Sequence, residues 1–158
     1  MTTRFIRWFS ELGVADVPLV GGKNASLGEM FRELGAQGVR VPNGFAVTAE
    51  AYRYMLDQAD AWPGLHRALD GLDAKNVDDL ARRAQAAREI VQSAPLPADL
   101  SAEILAAYAQ LRVEYGDELT VAVRSSATAE DLPTASLDRK STRLNSSHER
   151  LSRMPSSA

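Results

Sequence analysis

Val20-Gly21-Gly22-Lys23-Asn24-Ala25-Ser26-Leu27-Gly28-Glu29-Met30 is the stretch on which the reading of this chain turns. Two adjacent glycines free the backbone for a tight turn and for close approach to a ligand. After them Leu27, Met30, Phe31 and Leu34 recur at i, i+3, i+4 and i+7, which is one face of a helix. Gly35 or Gly38 supplies a residue able to end that helix in the left-handed conformation. The pattern predicts a helix with Lys23 at or near its N-terminus, where N–H groups, the helix dipole and an ammonium together suit a phosphate. The spacing is not that of a Walker A loop, G-x-x-x-x-G-K followed by Ser or Thr. A glycine turn followed by a solvated lysine is the simpler account on spacing alone.

Working outward, Arg4 to Ser10 is rich in Phe, Ile and Trp and predicts a short strand. Glu11 to Val20 reads as a loop, broken by Gly13, Asp16 and Pro18. Pro42, Asn43 and Gly44 form a turn that enters a second strand, Phe45-Ala46-Val47. Thr48 stands as the N-cap of a helix from Ala49 to about Gln58. Trp62-Pro63-Gly64 reads as a break, with a short helix between His66 and Asp73. Two stronger helices follow. Val77, Leu80, Ala81, Ala84, Ala87 and Val91 mark one, closed by Ser93 to Pro97; Leu100, Ile104, Tyr108, Leu111 and Tyr115 mark the other, closed by Gly116. These two helices are expected to supply much of the core. Tyr52, Trp8 and Trp62 read as packing residues, and His66 as a solvated side chain.

A second segment carries chemistry. Leu119 to Val123 reads as a buried strand that delivers Arg124-Ser125-Ser126-Ala127-Thr128 into a polar loop, followed by Glu130 and Asp131. Loops held by rigid strands are where binding groups gather. The guanidinium of Arg124 offers a fork of donors that matches phosphate oxygens, and the hydroxyls of Ser125, Ser126 and Thr128 add donors. An ordinary strand leading into a serine-rich turn, with Arg124 in a structural ion pair, accounts for the same residues equally well.

Composition narrows the classes. The chain has 158 residues, 45% hydrophobic and 25% charged, with a net charge of −3, which suits a globular domain and argues against nucleic-acid binding through bulk charge. With no cysteine, disulfides, thiolate metal sites and a cysteine nucleophile are excluded together. Arg4, Arg7 and Glu11 interrupt the start, so it does not read as a secretory signal. No run approaches the ~18 apolar residues of a membrane span. The expectation is a cytoplasmic protein.

Taken in order and about 100 residues apart, the two segments resemble the start of the phosphoenolpyruvate synthase (pyruvate, water dikinase) family. Three stretches carry the resemblance: Trp8 to Leu12 with Asp16 to Met30; Val41-Pro42-Asn43-Gly44-Phe45-Ala46-Val47-Thr48; and Val123 to Ser136. The resemblance implies an α+β fold, here part of an ATP-grasp-like nucleotide-binding domain. It implies ATP as the nucleotide partner and Mg2+ as a cofactor whose ligands lie outside this chain. Lys23 and Arg124 then match the phosphate-contacting lysine and arginine, with Gly21, Gly22, Ser125, Ser126 and Thr128 as loop residues of the ATP site. In the family, ATP phosphorylates a histidine on a swivelling domain, which passes the phosphoryl group to pyruvate. The products are phosphoenolpyruvate, AMP and phosphate. That histidine and the pyruvate site have no counterpart in this chain, so no catalytic residue is named. The oligomeric state stays open. Related dikinases and antibiotic-phosphorylating enzymes share the plan but resemble GGKGA-x-L at the first motif. The Gly22-Lys23-Asn24-Ala25 run here favours the synthase over them, and a stand-alone nucleotide-binding module is disfavoured because the family pattern breaks inside a ligand-binding loop rather than at a domain boundary.

The pattern breaks after Ser136. From Asp138 onward the chain carries five Lys or Arg against two acids and almost no apolar residues. The family pattern continues here with an aromatic residue and a glycine loop. Residues 1–136 are therefore assigned to the amino-terminal part of the ATP-binding domain, and 137–158 to a disordered tail foreign to the family, such as translated adapter DNA. A chain of this kind is expected to be inactive alone.

Overall fold

The computed structural model describes residues 4–73 and 75–128. Near the start of the chain, β1 (Ile6–Trp8) pairs antiparallel with β2 (Phe45–Val47), Ile6 opposite Val47 and Trp8 opposite Phe45. The two rings of the latter pair meet edge to face, with centroids 5.6 Å apart. A two-stranded ribbon of this length is marginal alone, so its stability comes from what covers it. Among the described residues there are six helices, α1 (Val17–Val20), α2 (Gly22–Ala36), α3 (Ala49–Gln58), α4 (Trp62–Leu69), α5 (Val77–Ser93) and α6 (Ala98–Tyr115); α1, α2, α3 and α6 cover the ribbon, and α4 and α5 pack beyond α3. The described residues are thus α+β, as expected.

Local rules place most of these boundaries. Thr48 Oγ1 accepts from the Ala51 N–H at 3.3 Å and caps α3 as predicted. Asn76 Oδ1 does the same for α5, accepting from the Asp79 N–H at 3.1 Å. Gly116, at φ +91°, stops α6. Two expectations need correction. Trp62-Pro63-Gly64 does not interrupt a helix but begins α4, because Pro63 sits in the first turn, where a missing N–H costs nothing. The stretch Glu11–Val20 is not all loop: it holds a 3-10 turn at Val14–Asp16 and then α1, with Pro18 again in a first turn.

The predicted strand Leu119–Val123 is absent. The segment is irregular, with Val121 47% and Val123 75% exposed. A strand needs a ladder partner, and β1 and β2 pair only with each other among the described residues.

Three apolar clusters form the core. Leu12, Val20, Ala25 and Ala46 join α1 and α2 to the ribbon. Phe5, Ala51 and Leu100 join the ribbon to α3 and α6. Leu56, Ala61 and Leu65 pack α3 and α4 against Ala87, Ile90 and Val91 of α5. The expectation that the two long helices supply much of the core is therefore corrected. No residue of α5 is fully buried, and α6 contributes Leu100, Ala107 and Leu111. Trp62 is half-exposed and donates Nε1–H to Asp57 Oδ1 at 2.6 Å. Truncating a buried Phe such as Phe5 costs roughly 3–5 kcal/mol. The exposed Arg112–Asp117 pair is of the kind worth about 1 kcal/mol or less, so packing decides this fold.

A polar clamp fastens α6 and α3 to the start of β1. Glu103 accepts from the backbone N–H of Phe5 at 2.9 Å and of Arg4 at 3.3 Å. Phe5 stacks on Tyr54 with centroids 4.9 Å apart, and the Arg4 guanidinium lies over both rings. Tyr54 donates its hydroxyl to Asp99 Oδ2 at 2.8 Å. That bond holds the Asp99 carboxyl below its ordinary range, against a smaller opposing push from desolvation. The contribution is therefore present above the ordinary carboxylate pKa, about 4, and is lost as pH falls through the depressed value. Asp79 is also depressed: partial desolvation pushes it up, but hydrogen bonds from Arg82 and Arg83 outweigh that push. Tyr54→Phe should lower the urea midpoint at pH 7 and flatten its fall below about pH 4. Asp79 is unchanged in both proteins, so the difference between the two pH profiles reports Asp99. Parallel profiles would contradict this account.

Candidate functional site

The first segment folds as the glycines dictate. Gly21 ends α1 and begins α2, at φ +79° and ψ 157°, a conformation open essentially only to glycine. Its N–H donates to Val17 O at 2.8 Å, and its carbonyl accepts from the Ala25 N–H at 3.1 Å. No side chain caps α2. Gly22 is the first helical residue and Lys23 the second, its side chain exposed. The start of α2 is anchored from behind at Gly28. A Cβ there would lie 2.5 Å from Leu12 Cβ and 2.7 Å from Leu12 O, so only glycine lets the helix lie this close.

The second segment comes back to the first across the length of the chain. Ser126 donates its hydroxyl to the carbonyl of Val20 at 3.0 Å, a contact between residues 106 apart in sequence. A Cβ on Gly21 would lie 2.2 Å from Ser126 Oγ and 2.8 Å from Ala127 O. Gly21 is thus required twice, by its backbone conformation and by the loop pressed against it. Arg124 and Ser125 are exposed, while Ser126 and Thr128 are half-buried. Lys23 lies two residues beyond Gly21, and Arg124 two residues before Ser126. Both cations are therefore tied within two residues of one contact. The described contact between the segments runs through Ser126 and Ala127. The expectation of a buried strand behind Arg124 is corrected: the loop is held by its own serine instead.

The sequence marked Asn24 only as a family discriminator and gave it no role at the site. Its Nδ2 donates to the same Val20 carbonyl at 2.8 Å, so that oxygen accepts from both Asn24 and Ser126. The available signal was an Asn one helical turn after a residue whose carbonyl a glycine leaves outside the next helix.

A groove of about 1160 Å3 lies elsewhere, between α3, α4 and α5, lined by residues that include Tyr52, Trp62, His66, Arg67 and Arg88. None of the predicted site residues lines it. No group of three or more His, Asp or Glu among the described residues is placed to hold a metal ion. Glu130 and Asp131 lie outside the described residues.

The glycine account is testable by urea denaturation. Gly21→Ala should cost about 1–3 kcal/mol through its conformation alone, and more where the Ser126 loop is displaced. Ser126→Ala should cost about 0.5–1.5 kcal/mol, the range for one hydrogen bond. Gly35 faces open space in α2, so Gly35→Ala should be neutral or stabilising, by up to ~1 kcal/mol. Equal costs for Gly21→Ala and Gly35→Ala would contradict the account.

Residues 17–152 match the family described as pyruvate phosphate dikinase, AMP/ATP-binding domain. The phosphoenolpyruvate synthase of Helicobacter pylori is 51% identical over 134 residues, covering 84% of this chain and 16% of that protein. That of Pseudomonas aeruginosa is 54% identical over 126 residues, covering 80% of this chain and 16% of its own length. That of Escherichia coli is 45% identical over 131 residues, covering 83% and 16%. The chain thus spans about one-sixth of the length of the curated relatives it matches. Among the described residues no helix is long and apolar enough to cross a membrane. With the match running over most of its length, this chain belongs to the pyruvate phosphate dikinase AMP/ATP-binding domain family.

Proposed function

We propose that this chain is the ATP-binding portion of a phosphoenolpyruvate synthase, and that the Gly21–Lys23 turn and the Arg124–Thr128 loop together hold the nucleotide phosphates. The observation that carries the proposal is the Ser126 to Val20 hydrogen bond, which joins segments 106 residues apart at the start of an uncapped helix. In this reading the start of α2 and the Lys23 ammonium meet the phosphates from one side, as a helix N-terminus favours an anion. Arg124 meets them from the other with a planar fork of donors. Ser125 and Thr128 add hydroxyl donors, while Ser126 and Asn24 position the turn by fixing the Val20 carbonyl.

Charge neutralisation and positioning are what a protein contributes to phosphoryl transfer. The chain is assigned that part of the reaction, within an ATP-grasp-like domain spanning residues 1–136 and working in the cytoplasm. Residues 137–158 stand outside that domain in this reading. Magnesium enters with the nucleotide, held by phosphate oxygens. Pyruvate and the phosphorylated histidine belong to other parts of the full-length relatives.

Isothermal titration calorimetry with ATP and magnesium tests the proposal. The chain should bind ATP weakly. Lys23→Ala and Arg124→Ala should each weaken binding by about tenfold or more, the size of a lost hydrogen bond to a charged group. Arg67→Ala, in the groove away from both segments, should leave it unchanged. Absence of ATP binding at millimolar concentration, or binding indifferent to both Lys23→Ala and Arg124→Ala, would refute the assignment.

A further inference from the structure

The turn into β2 holds the one Asn-Gly pair of the sequence, Asn43-Gly44. Such a pair is chemically labile, because glycine carries no Cβ to keep its amide nitrogen away from the asparagine side chain. Three hydrogen bonds converge on Asn43. Its backbone N–H donates to the Tyr115 hydroxyl at 2.7 Å, and its Nδ2 donates to Glu114 Oε2 at 3.0 Å. Its Oδ1 accepts from the Gly44 N–H at 2.9 Å. Glu114 and Tyr115 lie at the end of α6, 71 and 72 residues away in sequence. Asn43 thus fastens the end of α6 to the turn that enters the ribbon.

The attacking and the leaving nitrogen of a deamidation are both held here. The Gly44 nitrogen lies beside the Asn43 side-chain amide. Ring closure requires that nitrogen to lose its proton and bond to Cγ. In the folded chain the proton is engaged by Oδ1, and Nδ2 is drawn the other way by Glu114. Turning Cγ onto the nitrogen gives up both bonds. Gly44 has little room to follow. It is buried, its carbonyl accepts from the Phe9 N–H at 3.0 Å, and a Cβ on it would lie 2.6 Å from Phe9 Cε2. The restraint on the other side is weaker: Glu114 and Tyr115 are exposed, and surface contacts of this kind open at the least cost.

We propose that Asn43 is a self-modification site: a deamidation point held closed by the Glu114–Tyr115 clamp and reactive when the end of α6 releases it. In the reaction the Gly44 nitrogen forms a bond to Asn43 Cγ and the Cγ–Nδ2 bond breaks. The proton of the Gly44 nitrogen leaves with Nδ2 as ammonia. Water then opens the cyclic imide at one of its two carbonyls, giving aspartate or isoaspartate with no oxidant or cofactor. Either product removes the donor that Glu114 holds and adds a negative charge beside it, so the clamp does not close again. The proposal is independent of the ATP reading and is tested without nucleotide, so either can fail alone.

Peptide mass spectrometry of the full chain, incubated in mildly alkaline buffer, gives the test, read as the mass gain of NH replaced by O at Asn43. The reaction should be slow in the folded chain and fast in urea. Glu114→Ala and Tyr115→Phe each remove one bond of the clamp. Each should speed the reaction in buffer by about tenfold, in proportion to the opening of the clamp, and leave the rate in urea unchanged. Tyr54→Phe weakens the fold at a different contact and should leave the rate at Asn43 as it was, which separates local opening from a general loss of stability. Asn24 and Asn76, followed by Ala25 and Val77, should stay intact over the same period. An Asn43 that reacts as fast in the folded chain as in urea, or fails to react in urea, would overturn the proposal. So would a rate indifferent to both clamp variants, or equal acceleration by Tyr54→Phe.

Discussion

The carbonyl of Val20 is the point on which the arrangement of this molecule depends. It lies at the end of α1, just before a glycine that turns the chain into α2, and it accepts from Asn24 and from Ser126. The first bond is local and fixes the entry into α2. The second is long-range and fixes where the loop after α6 returns. One oxygen therefore ties the start of a helix to a segment 106 residues away. A carbonyl left at a helix junction needs partners, and here satisfying it also brings the two segments together.

Glycine makes that assembly possible at two distances from the loop. At Gly21 the requirement is direct, because a side chain would occupy the space of Ser126 Oγ. At Gly28 it is indirect: α2 lies against Leu12 closely enough that a Cβ would meet its backbone. Leu12 and Val20 belong to the same apolar cluster. Packing behind the helix and polar contact in front of it thus hold one element between them. The clamp of Glu103, Arg4, Phe5, Tyr54 and Asp99 does comparable work for the other end of the ribbon, joining β1 to α3 and α6.

Local patterns in the sequence were good guides wherever the physics is local. The existence of α2, the Thr48 cap, the Phe45–Val47 strand and the Gly116 stop all follow from a few neighbouring residues, whereas the predicted Leu27–Met30–Phe31–Leu34 face of α2 does not hold: Ala25 and Gly28 are buried and Met30 is exposed. Failures came where the outcome depends on distant partners. Leu119–Val123 has strand composition, but a strand is defined by its neighbour, and no described neighbour pairs with it. The periodicity of α5 marked a helix correctly and overstated its burial, since its apolar face meets α4 across an open groove. Pro63 was read as a breaker because sequence does not distinguish a first turn from an interior one. For the candidate site, Lys23 and Arg124 were legible only as residue types whose donors suit phosphate. The joint between the segments was not, because it is made by a serine and by a backbone carbonyl, which carries no signature in sequence.

The central claim is that the Gly21–Lys23 turn and the Arg124–Thr128 loop act as one phosphate cradle. The most direct measurement is a titration of the isotopically labelled chain with ATP, followed residue by residue through its backbone amide resonances. The account predicts that amides of Gly21 to Asn24 and of Arg124 to Thr128 shift together and fit a single dissociation constant. Shifts confined to one segment, or centred on the groove between α3, α4 and α5, would contradict it.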